Sequence, residues 1–347
     1  MSIEKREFGH LPSGKTVSIY TLKNSHGMAA ELMDYGCRIA RLLVPGRDGR
    51  QEDVVLGHDT LEEYTAGNDV QGAVIGRFAN RIAGAAFQIG SQKFTLVKNE
   101  GNNSLHSAPG GFQNRLWKCG SATSSSVTFV RRSPAGECGF PGNLEAAVTY
   151  TLTDDNELVL EYAAKTDAET PFNPTNHSFF NLTGDARKNI LGVKMQIEAE
   201  QITESDPELI PTGKFLPVEG TPFDFRTPKA VGRDIGAEEP SLRRCGGYDH
   251  NFVLSGSNFR KAAELYDPSS GRRMQVFTDM PGIQVYTANS FGENSLGRGG
   301  VPLSPHCAIC LETQFFPDSV HHPEFPYQNL KPGRMFRTTT SYRFSIS

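Results

Sequence analysis

The run FNPTNHSFFNL, Phe172 to Leu182, carries an imidazole where a buried strand would ordinarily carry apolar side chains. Read as extended chain, it splits into two faces. Asn173, Thr175, His177, Phe179 and Asn181 share one, and Phe172, Pro174, Asn176, Ser178 and Phe180 share the other. His177 thus has hydrogen-bonding neighbours, with Asn173 and Asn181 placed to orient the backbone or the ring. With an unperturbed pKa of about 6.5, histidine can give or take a proton near neutrality. It can equally be a core residue whose hydrogen bonds are satisfied. The run Cys307 to Phe315 poses the same choice for a carboxylate. Cys310, Glu312 and Gln314 fall on one face, and Ile309, Leu311, Thr313 and Phe315 on the other. A buried Glu312 is costly without a partner, and desolvation raises its pKa toward that of a general base working near neutrality. On an edge strand it would simply face water.

Weaker signals lie elsewhere. In PGIQVYTAN, Gln284 and Tyr286 share a polar face. In GNNSLHSAPGGF, His106 sits in a glycine- and asparagine-rich loop of the kind that carries function on a rigid scaffold. GRFANRI gathers Arg77, Asn80 and Arg81, and GGYDHNF holds Asp249. Each has an ordinary alternative as a turn or surface residue. Cys307 and Cys310 form a CxxC in an apolar, strand-like run. Residues three apart in a strand point to opposite faces, so buried thiols are expected rather than a chelate or a disulfide. His321-His322 lies among prolines and reads as a surface loop. No His-x-His pair, GxGxxG or GxxxxGK[ST] occurs, so neither a barrel-type metal enzyme nor a nucleotide-phosphate cradle is supported.

The elements that must position these residues are strands. Val148, Tyr150 and Leu152 alternate with polar residues, Asp154-Asp155-Asn156 offers a turn, and Leu158, Leu160 and Tyr162 alternate again, which predicts a hairpin. Phe87-Gln88-Ile89, a Gly90-Ser91 turn and Phe94-Thr95-Leu96 predict a second. The Ser/Thr-rich stretch Ser121 to Ser126 fits a hairpin loop. Tyr342, Phe344 and Ile346, spaced by two, predict a core strand at the C-terminus. Asp59-Thr60-Leu61-Glu62 resembles a capping box opening a short helix near Tyr64. With 35 Gly and 21 Pro punctuating the chain, short strands and turns are expected rather than long helices. The 22 phenylalanines suit a wide inter-sheet core. The fold class is therefore all-β: a large antiparallel β-sandwich with few short helices, residues 1–347 forming a single domain with no linker or internal repeat.

The net charge of −4 is spread without acidic or basic blocks, which argues against a nucleic-acid or anionic-membrane partner. No apolar run approaches the roughly 20 residues of a membrane helix. MSIEKREFGHLPSG lacks the apolar segment of a secretory leader, so the cytoplasm is the expected compartment, with the six cysteines reduced. Nothing in the sequence sets the oligomeric state; a monomer is the default.

Taken together, GRFANRI, NEGNNSLH, GFPG, NPTNHSFFNL, YDHNF, QVYTAN and LETQFFPD resemble, in order and over nearly the whole chain, the motifs of the aldose 1-epimerases, or galactose mutarotases. The resemblance implies a galactose mutarotase-like sandwich with a shallow sugar-binding cleft, no cofactor and no metal. It implies Glu312 as catalytic base, His177 as catalytic acid, and His106, Asn80, Arg81, Asp249 and Gln284 against the sugar. The implied reaction exchanges the anomers of a free aldohexose such as D-galactose or D-glucose. A carboxylate beside His177 would raise its pKa and favour the charged acid. An open, polar cleft with an aromatic residue under the sugar is expected. The competing readings are a non-catalytic sugar-binding module on the same fold, a phosphosugar epimerase using Arg77 and Arg81, and a glycoside hydrolase. The last needs two carboxylates, for which Asp318 is a poor second.

Overall fold

Strict alternation of apolar and polar residues builds the sheets. Leu144–Leu152 buries every second residue and pairs antiparallel with Glu157–Thr166, Leu152 lying opposite Leu158 across the turn. Asn156, at the end of that turn, takes a left-handed φ of 56°, a conformation asparagine tolerates. The second predicted hairpin is Ala86–Ile89 with Gln92–Thr95, closed by Gly90-Ser91. Phe336–Ile346 runs between Glu157–Thr166 and Arg272–Thr278 in the middle of a sheet, so the C-terminal residues are a core strand. Tyr342 and Phe344 are buried, whereas Ile346 is exposed, because the strand has run past the core by then.

The computed structural model describes residues 3–66, 69–292 and 294–347. Its strands form three main antiparallel sheets. A nine-stranded sheet is centred on Glu157–Thr166 and Phe336–Ile346. A six-stranded sheet runs in the order Phe179–Phe180, Ile309–Gln314, Gly282–Tyr286, Asp249–Leu254, Ala199–Ser205 and Pro211–Pro217. The first five strands, Ile3–His10 to Gln51–Asp53, form a meander. One continuous apolar cluster joins Leu22 and Leu32 of the meander, Tyr150, Leu160 and Tyr342 of the nine-stranded sheet, and Ile283, Val285, Ile309 and Leu311 of the six-stranded sheet. Because side chains alternate across a strand, Gln284, Tyr286, Cys310 and Glu312 are left on the opposite face of that sheet.

Helices are short. Leu61–Thr65 is capped by a reciprocal Thr60–Glu63 box, one residue on from the Asp59–Glu62 reading. Pro240–Cys245 is a helix the alternation pattern does not reveal, for its N-cap is Glu239 rather than one of the usual short polar residues. Among the described residues no helix is long and apolar enough to cross a membrane.

The FNPTNHSFFNL run is not one strand but two. Thr175–His177 pairs with Ala73–Ile75, and Phe179–Phe180 pairs with Ile309–Cys310. Asn173 and Asn181 serve mainly the backbone, Asn181 also accepting from the Thr183 hydroxyl. Asn173 exchanges two hydrogen bonds with the main chain of Phe315, and Asn181 donates to the carbonyls of Asp185, Lys188 and Cys307. Gly72 ties this region to the meander. Its N–H donates to the His177 carbonyl, and its own carbonyl accepts from Ile39 N–H and from the Asn176 amide. Gly72 has φ of 70°, and a Cβ there would lie 2.2 Å from the Ile39 carbonyl oxygen. Backbone cannot yield as a flexible side chain does. Gly72→Ala is therefore expected to destabilise the fold by about 2 kcal/mol or more, measured by thermal unfolding, and to lower activity by displacing His177; unchanged unfolding would contradict the close approach.

Candidate active site

A cleft of about 600 Å³ opens on the outer face of the six-stranded sheet. Register places its floor. In Ile309–Gln314, Glu312 lies opposite Gln284 and Cys310 opposite Tyr286; Tyr286 in turn faces Asp249 on the next strand. Arg81–Ile82 pairs with Ser104–Leu105, which brings Asn80, Arg81 and His106 to one wall. Asn80 and His106 adopt left-handed φ of 62° and 57°. They are locked together there: His106 N–H donates to the Asn80 carbonyl at 3.0 Å, and Asn80 N–H donates to His106 Nδ1 at 3.1 Å. Phe179, Tyr286 and Phe291 supply aromatic surface, while the exposed Asn99 and Arg244 stand at the rim. The expected aromatic surface is there, but the expectation of a polar cleft is corrected: these rings give apolar atoms the larger share of the lining, with the polar groups set among them.

His177 and Glu312 meet. Nε2 of the imidazole lies 3.5 Å from Oε1 of the carboxyl group, and both side chains are almost fully buried. The His177 ring stacks on Phe179 and meets His106 edge-on at a centroid distance of 5.3 Å. Oε2 of Glu312 is buried with no hydrogen-bond partner among the described residues. Burial pushes the Glu312 pKa well above the usual carboxylate value; Asp249 adds to the shift and Arg81 opposes it. Burial lowers His177 to about 4, with Asp249 and Asp69 acting the other way. The expectation that a neighbouring carboxylate raises the histidine is thus overturned: desolvation of the ring outweighs the attraction. Both shifts favour the pair in which the carboxyl is protonated and the imidazole neutral. That pair holds the same single exchangeable proton as carboxylate beside imidazolium, so the two states differ only in where the proton sits.

His106 behaves differently. Because its Nδ1 accepts a backbone N–H, the neutral ring must carry its proton on Nε2. Burial, His177 and Arg81 all hold its pKa well below normal, so it stays neutral. It is therefore a fixed hydrogen-bond donor. Ligating atoms of His106, His177 and Glu312 do lie within 4.8 Å of one another. The tautomer, however, leaves His106 no lone pair to offer a metal from Nε2, so the cluster does not fit a resident metal.

Arg81 is held by Glu100 through two hydrogen bonds of 2.6 and 2.8 Å, with Asp249 3.9 Å away. Asn80 spends its Oδ1 on the Arg81 N–H, so its amide N–H groups are what it can offer a ligand. Gln284 is not on the cleft surface. It is buried behind Asp249 and donates to that carboxylate at 2.6 Å, which makes it a support for Asp249. Glu100 escaped the sequence reading although it stands in NEGNNSLH: nothing in one sequence tells that residue 100 grips residue 81. The aromatic residues Phe179 and Phe291 escaped it because they look like core. Arg77 is fully enclosed, its guanidinium donating to the carbonyls of Ser133, Pro134, Pro141 and Gly142. Asp318 is likewise buried, accepting from Ala83 N–H and bonded to His321. Neither lines the cleft. Cys307 and Cys310 are buried free thiols.

The chain matches the family model described as aldose 1-epimerase over residues 18–343. It is 42% identical to the galactose mutarotase of Homo sapiens, covering all of this chain and 99% of the relative. It is 41% identical to the galactose mutarotase of Bos taurus over the full length of both. A crystal structure of an aldose epimerase homologue from C. elegans superposes with a TM-score of 0.88 at 28% identity, covering 95% of this chain and 99% of that one. By motif order, fold and full-length similarity, this chain belongs to the aldose 1-epimerase family.

Proposed function

We propose that the cleft interconverts the α and β anomers of free aldohexoses such as D-galactose and D-glucose, with Glu312 and His177 as its acid–base pair. The observation that carries this reading is the contact of the Glu312 carboxyl with His177 Nε2 at 3.5 Å, with Oε2 buried and unpartnered beside it. The two sugar oxygens that exchange protons, O1 and O5, are bonded to the same carbon. A base for one and an acid for the other must therefore stand side by side, as these two groups do.

In the reactive arrangement Glu312 is a carboxylate and His177 an imidazolium. Glu312 takes the proton from O1 as His177 Nε2 gives one to O5. The C1–O5 bond breaks, and the electrons of the O1–H bond form the C1 carbonyl. The pair is then carboxylic acid and neutral imidazole, the state that burial favours. The aldehyde turns about C1–C2, and reclosure runs the same transfers backward on the other face. Each turnover returns both groups to their starting state, so the proton balance closes without an oxidant or nucleotide. General acid and base assistance of this kind contributes typically ~10²–10⁴-fold.

The remaining groups must grip the ring without holding C1. His106 Nε2–H, Arg81 and the Asn80 amide donate, and Asp249 accepts, all suited to hydroxyls away from the anomeric centre. Phe179, Tyr286 and Phe291 offer apolar surface for a ring face. A purely binding module would have no use for an unpartnered carboxyl in its interior, which costs stability. A phosphosugar site would need a cluster of free cations; Arg77 is enclosed, Arg81 is neutralised by Glu100, and Arg244 stands without a second cation at the rim.

Polarimetry on freshly dissolved α-D-galactose or α-D-glucose tests this. Glu312→Gln, which keeps the shape and removes the base, is expected to cut turnover by ~10²-fold or more; near-normal turnover would remove Glu312 from the chemistry. His177→Asn should reduce kcat far more than it raises KM, and a loss confined to KM would make His177 a binding residue. The pH profile carries a sign. As pH falls through the depressed His177 value of about 4, the pair takes up a second proton and loses its base. Activity on the acid side should therefore persist below 6.5 and decline toward 4, whereas a decline already centred at 6.5 would contradict the burial of His177. Treatment with a chelator should leave the rate unchanged, since His106 has no lone pair facing the cleft.

A further inference from the structure

His177 has two ring nitrogens, and the proposed reaction exchanges a proton at one. Nε2 faces Glu312. Nδ1 lies 3.5 Å from the Sγ of Cys310, and the ring also meets the main chain of its own residue. Cys310 is fully buried and free of any disulfide. Its position follows from register. It stands two residues before Glu312 on the same strand, on the same face, and opposite Phe179, whose ring stacks on His177. One strand thus delivers the carboxyl group to one side of the imidazole and the sulfur to the other.

We infer that Cys310 is a positioning residue whose sulfur accepts a hydrogen bond from His177 Nδ1–H and so keeps Nε2 as the atom that exchanges protons. The inference deepens the acid–base reading and rests on it. An imidazolium carries protons on both nitrogens, and after Nε2 releases its proton the ring must keep the other on Nδ1. Were the neutral ring protonated on Nε2 instead, it would have no lone pair there to receive the O5 proton on reclosure. His106, touching His177 edge-on, is fixed in the opposite tautomer by the Asn80 N–H. The two neighbouring histidines therefore divide the work: one is a permanent donor and the other a reversible exchanger.

Sulfur suits the task because it is a weak, polarizable acceptor. It can orient the ring without stabilising the imidazolium as a carboxylate in its place would. The groups facing His177 are Glu312, Cys310, His106 and Tyr286 in its immediate surroundings, with Asp249, Asp69 and Arg38 acting through space. Burial and the Glu312 and Asp249 carboxylates keep the Cys310 thiol protonated, so it takes no part in the transfer itself.

Heteronuclear NMR of the imidazole nitrogens in the unmodified protein at neutral pH reads the tautomers directly. His177 is expected to carry its proton on Nδ1 and His106 on Nε2; a proton on Nε2 of neutral His177 overturns the inference. In parallel, Cys310→Ala should lower kcat by about tenfold with KM changed by less than about twofold, because the general acid is misoriented rather than removed. Cys310→Ser, whose hydroxyl still accepts, should retain more activity than Cys310→Ala, with thermal unfolding confirming that both are folded. Unaltered kcat in Cys310→Ala, or a loss confined to KM, overturns the inference. If Cys310→Ala does not fold, the tautomer in the unmodified protein decides. Failure of the acid–base reading would appear separately, as retained turnover in Glu312→Gln.

Discussion

The proposed reaction depends on one proton held between a carboxyl and an imidazole that are both shut away from water. In solvent these groups would sit apart as carboxylate and, near neutrality, largely neutral imidazole. Buried 3.5 Å from each other, Glu312 is pushed toward its acid form and His177 toward its neutral form. Burial thereby reverses the order of the free side chains, for which carboxylate beside imidazolium is the lower state. The neutral pair that burial favours is also the one that the proposed ring opening leaves behind.

The sandwich supplies the dryness and the alignment at once. The inward face of the six-stranded sheet is committed to the core through Ile283, Val285, Ile309 and Leu311. The pleat then leaves Glu312, Cys310 and Tyr286 on the outward face in fixed register with Gln284 and Asp249. His177 reaches them from a strand that pairs with Ala73–Ile75, tied in turn to the meander through Gly72. Three separate pieces of sheet therefore converge on one imidazole. Small displacements of any of them would alter the contact on which the proposed proton transfer depends.

Around this centre the side chains are arranged to hold rather than to react. A backbone N–H, a carboxylate and a side-chain amide fix the groups around the cleft: Asn80 N–H sets His106, Glu100 sets Arg81, and the Gln284 amide sets Asp249. Such pre-set partners reduce the ordering that binding would otherwise require. In the proposed reaction their hydrogen bonds would suit hydroxyls away from C1, leaving the one carbon that must turn without a restraint. The buried arginines belong to a different task. Arg77 gathers four carbonyls from one loop region, and its conspicuous place in GRFANRI reflects loop architecture rather than ligand binding.

The sequence by itself determined the all-β architecture, the hairpin at Leu144–Thr166, the core strand at the C-terminus and the family, because alternation and turn residues are local signals and motif order is written along the chain. It also singled out His177, Glu312, His106, Asn80, Arg81 and Asp249, which the fold brings to one cleft. Only the tertiary structure decided that Gln284 stands behind Asp249, that Asn173 and Asn181 serve the backbone, that Glu100 holds Arg81, and that Cys310 meets His177. It alone reversed the expected direction of the His177 shift. The reason is physical: a pKa, a tautomer and a supporting contact depend on burial and on partners distant in sequence, as residue 177 is from residues 310 and 312, and none of them is set until the sheets have packed.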